Sequence, residues 1–136
     1  MNFSNIPSKG DQLETSRFTF HDLEGSPWVE VKPATRRNRA YTNATLREAS
    51  KVNAIQRQLE KGHLTVDHIE KLEALTRDRL ARHVLVDMGG WQDDSGADVS
   101  FSEEAAVALM RALPEEMFGD LVQFVEDEGN FRAADA

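Results

Sequence analysis

A chain of 136 residues, 40% of them hydrophobic, has material for one domain around one modest core. It has no cysteine, which excludes disulfides and thiolate-bound metals, and no apolar run long enough for a signal peptide or a membrane span. Its net charge of −8 is unevenly divided, 14 Lys/Arg against 11 Asp/Glu in residues 1–82 and 2 against 13 in residues 83–136; so acidic a second half repels nucleic acid and anionic membrane, and on charge alone it fits either attraction of a basic protein partner or a solvated face that only aids solubility.

Residues 1–16 mix Ser, Asn, Pro, Lys, Gly and Asp without a period, which predicts a flexible N-terminal arm. Arg17-Phe18-Thr19-Phe20 and Trp28-Val29-Glu30-Val31 are β-type runs separated by turn formers at Asp22, Gly25, Ser26 and Pro27, and they predict a hairpin over 17–33. Two strands are marginal in water, so this hairpin has to lean on helices or on a partner. The next stretch is basic through Arg36, Arg37 and Arg39 and reads as a linker. Leu46, Ala49, Val52, Ile55 and Leu59 then share one stripe of a helix over 42–61, which Gly62 ends.

Thr65 is the expected cap of a second helix, with Asp67 in its first turn. Ile69, Leu72, Leu75, Leu80, Val84, Leu85 and Met88 carry that helix to Gly89, a length of roughly 30 Å at 1.5 Å per residue. Its stripe shifts between Leu75 and Leu80, which predicts different neighbours along its length. After Gly89-Gly90, Trp91 opens a short acidic loop that runs to Asp98. Ser100 stands three residues before Glu103, the spacing of a capping box, with Phe101 placed to brace the entry of a third helix through Met110 and Leu113. Pro114 with Glu115-Glu116 starts a fourth, bearing Met117, Phe118, Leu121, Val122, Phe124 and Val125. Gly129 closes it and Phe131 folds back behind the cap. The expected fold is mainly α: one domain over 17–131, a small N-terminal β-hairpin followed by about four helices over 42–131 in a compact bundle, and a frayed tail at 132–136.

Nothing in this pattern points to a catalytic, cofactor or metal site. His63 and His68 are five residues apart across a helix start, which does not give the one-face spacing of a zinc helix, and His21 and His83 bring no ligand set with them. Asp93, Asp94 and Asp98 invite a calcium loop, but taking Gly96 as the sixth position makes Trp91 the first, and tryptophan cannot ligate calcium. Asp94-Ser95-Gly96 reads instead as a turn in which Asp accepts backbone hydrogen bonds. No nucleophile motif and no phosphate-cradling loop occurs, so the expectation is a non-enzyme. Arg36, Arg37 and Arg39 beside Tyr41 are a short basic patch, read as a surface linker or a docking site for the acidic half in preference to a nucleic-acid contact.

The central segment has a family texture. An apolar helix end (His83-Val84-Leu85-Val86), a tryptophan, an acidic Asp-Asp-x-Gly turn, Val99-Ser100-Phe101-Ser102-x-Glu104 and an Ala/Leu helix ending in Leu113-Pro114 resemble the tail assembly chaperones of long-tailed bacteriophages. With the hairpin the likeness covers most of 17–131. Ala97-Asp98 stands where that family often has proline, and the Arg36–Arg39 linker has no counterpart in it. The resemblance implies a non-catalytic protein of the host cytoplasm that keeps the tape measure protein soluble and assists assembly of the tail tube protein, with homo-oligomerisation open. A virion component (tail completion or connector) and a small nucleic-acid-associated regulator are the competing readings. For a chaperone, the expected client-binding residues are Trp91, Phe101, Met110, Met117, Phe118, Leu121 and Phe124; for all but Trp91 the residue type favours core, and Met110 and Met117 suit an adaptable surface.

Overall fold

The computed structural model describes residues 13–62 and 66–131. The expected arm over 1–16, apart from its last four residues, the tail over 132–136 and the cap at Thr65 lie outside them. The chain runs through strands β1 (Ser16–Thr19) and β2 (Trp28–Val31), helices α1 (Arg39–Glu60) and α2 (Val66–His83), strand β3 (Leu85–Gly89), and helices α3 (Glu103–Ala112) and α4 (Glu115–Glu126). A 3-10 turn at Glu128–Phe131 follows. The architecture is mainly α, with a small antiparallel strand pair before four helices. Among the described residues no helix is long and apolar enough to cross a membrane.

Three expectations need correction. The second helix does not reach Gly89: it ends at His83, and Leu85–Gly89 forms a third strand on the open side of β2, pairing Trp28 with Gly89 and Val29 with Met88. The hairpin's need for cover is thus met partly by a strand, in the order β1-β2-β3, and Trp91 follows that strand instead of joining two helices. The cap of α3 is Ser102, not Ser100: its Oγ accepts from the Ala105 N–H at 3.0 Å. Ser100 is drawn away because the Val99 N–H donates to the Trp91 carbonyl at 2.9 Å and Gln92 bridges Asp98, holding this stretch extended. The first helix starts three residues earlier than expected, at Arg39, because Asn38 caps it.

Alternation places Val29 and Val31 fully inside, with Leu85 and Met88 beside them. Onto this face pack Leu80, Ala81 and Val84 of α2, Ala106 and Met110 of α3, and Phe118, Leu121 and Val125 of α4. Phe131 folds back as expected and is 1% exposed. On the outer face Trp28 carries the Arg17 guanidinium 3.6 Å from its ring and lies over Gly89, where any Cβ would run into the indole.

Buried polar side chains lock the helix ends to one another. Asn38, 2% exposed, accepts from the Tyr41 N–H at 3.2 Å and donates through Nδ2 to the His83 carbonyl at 2.8 Å, so one amide caps the start of α1 and the end of α2. Arg77 of α2 is buried against α3: one Nη donates to the carbonyls of Met110 and, at 2.7 Å, Leu113, which a helix end would otherwise leave unpaired. Its Nε and other Nη hold Glu73, and its plane lies 4.4 Å from the Phe118 ring centre. Arg111 and Asp78 add a two-bond fork between α3 and α2.

Candidate interaction surface

The loop after β3 is built by its own side chains. Asp93 Oδ1 accepts from Ser95 N at 2.9 Å, Ser95 Oγ at 2.6 Å and Ala97 N at 3.0 Å, and Gly96 sits at φ +84°. The turn expected around Asp94 is therefore organised by Asp93. These bonds, the Ser95 hydroxyl foremost, hold the Asp93 carboxyl below its ordinary range. Trp91 anchors the loop to the sheet: its Nε1 donates to the Trp28 carbonyl at 3.0 Å, and its ring meets Phe20 edge-on at 5.3 Å.

The seven residues expected to bind a client divide by burial. Met110 and Leu121 are 0% exposed and Phe118 6%, so a partner cannot cover them without opening the core; they are core, as volume-filling side chains at helical spacing commonly are. Trp91, Met117 and Phe124 are partly buried at the edge of that core, and Phe101 stands 36% exposed. Three of the four are brought together around β1. Phe18 stacks edge-on with Phe20 at 5.0 Å and with Phe124 at 5.2 Å, Phe20 reaches Trp91, and Met117 lies across from the pair. Phe101 lies apart, in a groove with Ala40, Leu85 and Val86.

Between β1 and α4 this arrangement leaves a cleft of about 280 Å³ lined by Phe18, Phe20, Met117, Thr19, His21, Asp22 and Asp120. Its floor is aromatic and thioether; Asp22 and Asp120 set negative charge on its rim. α4 continues that charge, with Glu115, Glu116, Asp120 and Glu126 and no basic residue. The contribution of β1 to this site is not among the expected client-binding residues; the signal present in the sequence is the spacing of two between Phe18 and Phe20, which puts both on the face that β1 shares with Val29.

A second groove, about 480 Å³, lies at the root of α1 and α2. Arg47, Arg79 and Arg82 face Glu48, Asp78 and Glu103 there, so the charges cancel. Arg79 donates to Thr45 Oγ1 at 3.2 Å and lies 3.6 Å from Glu48 and 5.5 Å from the Tyr41 ring centre, tying the two helices with polar contacts. Burial, then the nearby charges of Arg47 and Arg82, hold the His83 imidazole below its ordinary range; burial pushes the Tyr41 phenol up. Of the basic linker, Arg37 is bound to Glu128 at 2.9 Å and the Ala34 N–H to the Val125 carbonyl at 2.8 Å, so it docks on the acidic end of the chain. Arg36 and Arg39 are exposed.

Residues 36–136 match the family model described as YdaY prophage protein. The match takes in every helix and β3 and leaves out β1 and β2. No curated protein and no solved structure matches the chain.

Proposed function

The chain belongs to the YdaY prophage protein family, and from that premise we propose that it is a non-catalytic tail assembly chaperone, holding a basic amphipathic segment of the tape measure protein. The observation that carries this reading is the cleft between β1 and α4: an apolar floor of Phe18 and Met117, backed by the buried Phe20, under an acidic rim of Asp22 and Asp120. An amphipathic helix docks by seating one or two large apolar side chains in such a recess, while its flanking charges choose the partner. Met117 supplies a side chain that adapts to varied anchors. The acidic second half steers a basic client towards the cleft and keeps the complex soluble. Met110, Phe118 and Leu121 serve the site indirectly, as the packed floor that fixes Met117 and Phe124 in place. Work of this kind belongs in the host cytoplasm, before the tail is complete, with the tail tube protein as a further partner.

Co-expression with the tape measure protein of the same prophage tests this directly. The expected result is a raised soluble yield of the tape measure protein and co-purification of the two, both reduced by Met117→Asp. No change in yield and no co-purification overturn it. Mass spectrometry of purified particles separates a chaperone, which is absent from them, from a completion or connector protein, which stays.

A further inference from the structure

α1 is 22 residues long, about 33 Å at 1.5 Å per residue, yet Ala44 is its only residue fully inside. Among the described residues α2 is the sole element it packs against beyond marginal contacts. The second half of α2 belongs to the head, packed with α3, α4 and the sheet; the polar root described above fixes the two helices antiparallel, and only five residues separate Glu60 from Val66, so α1 and the start of α2 form an arm reaching beyond that head. Towards its tip the arm leaves apolar side chains uncovered. Val66 is 69% and Ile69 50% exposed, while Val52, Ile55, Leu59 and Leu72 are only partly buried. Two helices cannot enclose a seam of this kind; further helices have to close it.

Charge identifies what closes it. The outer part of α1 with its cap, residues 51–61, carries Lys51, Arg57 and Lys61 against Glu60; the start of α2, residues 66–71, carries Asp67 and Glu70 against Lys71, Glu73 being taken up by Arg77. The arm is thus basic along one helix and acidic along the other at the same level. A second arm turned by a two-fold along the arm axis lays each α1 beside the α2 of the other copy, antiparallel, with opposite charges facing at both new contacts. Such an interface is self-complementary and closed. The heads offer no comparable match, because α4 is acidic throughout and two such faces repel. We propose that two copies of this chain associate through their arms, tip beside tip, into an up-down-up-down four-helix bundle whose seam includes Val52, Ile55, Leu59, Val66, Ile69 and Leu72. The proposal does not depend on the client assigned to the cleft between β1 and α4.

Sedimentation of the full chain tests it with two charge-reversed variants, Lys51→Glu/Arg57→Glu and Asp67→Lys/Glu70→Lys. The wild type is expected to sediment as a dimer at micromolar concentration and each variant as a monomer, its dissociation constant raised at least about tenfold, the ratio for some 1.4 kcal/mol. An equimolar mixture of the variants restores opposite charges at both contacts and is expected to dimerise again. A monomeric wild type, dimers that persist in both variants, or a mixture that stays monomeric overturns the proposal. A monomeric wild type that binds a tape measure peptide through Val66 and Ile69 reassigns the arm to the client.

Discussion

Replacing Arg77 with methionine keeps most of the side-chain volume against Phe118 and removes every donor of the guanidinium. Two carbonyls at the end of α3, those of Met110 and Leu113, then lose their partner inside the protein. A buried acceptor left unpaired costs about 1–3 kcal/mol, and hydrogen bonds to a charged donor stand at the upper end of that scale. Glu73, a third exposed, turns to water and adds little. The expected loss is about 3 kcal/mol, or roughly 12 °C in Tm at roughly 4 °C per kcal/mol for a domain of this size. Arg77→Lys retains a charge but has no fork to span both carbonyls, so it is expected to fall midway. Thermal and urea unfolding followed by circular dichroism read both variants. An Arg77→Met protein within about 1 kcal/mol of wild type would refute the view that this guanidinium is the lock between α2 and α3.

Asn38→Ala removes a helix cap and the donor to the His83 carbonyl together, an expected loss of about 2 kcal/mol with faster amide exchange in the first turn of α1; unchanged exchange there contradicts the double-cap role. Gly90, at φ +79°, has the Pro27 Cα 2.9 Å from where a Cβ would stand, whereas Gly96 at φ +84° has open space. Gly90→Ala is therefore expected to cost more than Gly96→Ala, which carries only the conformational penalty of about 1 kcal/mol, and equal Tm losses would remove the close approach from the account. His83 titrates below its unfolded value near 6.5, so the unfolded chain takes up its proton first as pH falls. The stability it contributes is whole above pH 6.5 and is lost on acidification through the folded pKa; His83→Gln is expected to flatten the fall in Tm between pH 7 and pH 5, and a parallel fall in both proteins contradicts it.

Local chemistry made much of this fold legible. The alternation at Trp28-Val29-Glu30-Val31 and the break at Leu113-Pro114 are short-range signals, and β2, α3 and α4 follow from them. β3 was hidden because Leu80, Val84 and Met88 fit helical spacing, while the reason for a strand, the open edge of β2, lies more than fifty residues upstream. Composition also misplaces Arg77 and Arg79, since charged residues belong outside unless paired; the shift of stripe between Leu75 and Leu80 marked the place, but only tertiary structure supplies the carbonyls and carboxylates that bury them. Of the residues expected to bind a client, sequence spacing could not tell Met110, Phe118 and Leu121 from Met117 and Phe124. That division rests on which sides of α3 and α4 meet the core. The arm was equally unreadable, because a stripe of apolar residues on α1 looks the same whether or not the fold covers it.

The most direct test of the chaperone reading is a binding titration of purified wild type and Met117→Asp with labelled amphipathic peptides from the tape measure protein. Wild type is expected to bind a basic peptide with an affinity that falls as salt rises, and Met117→Asp, folded by circular dichroism, to bind at least about tenfold more weakly, the loss of roughly 1.4 kcal/mol. Equal affinity of the two proteins, or no binding to any segment of the tape measure protein, contradicts the assignment of the cleft between β1 and α4 as the client site.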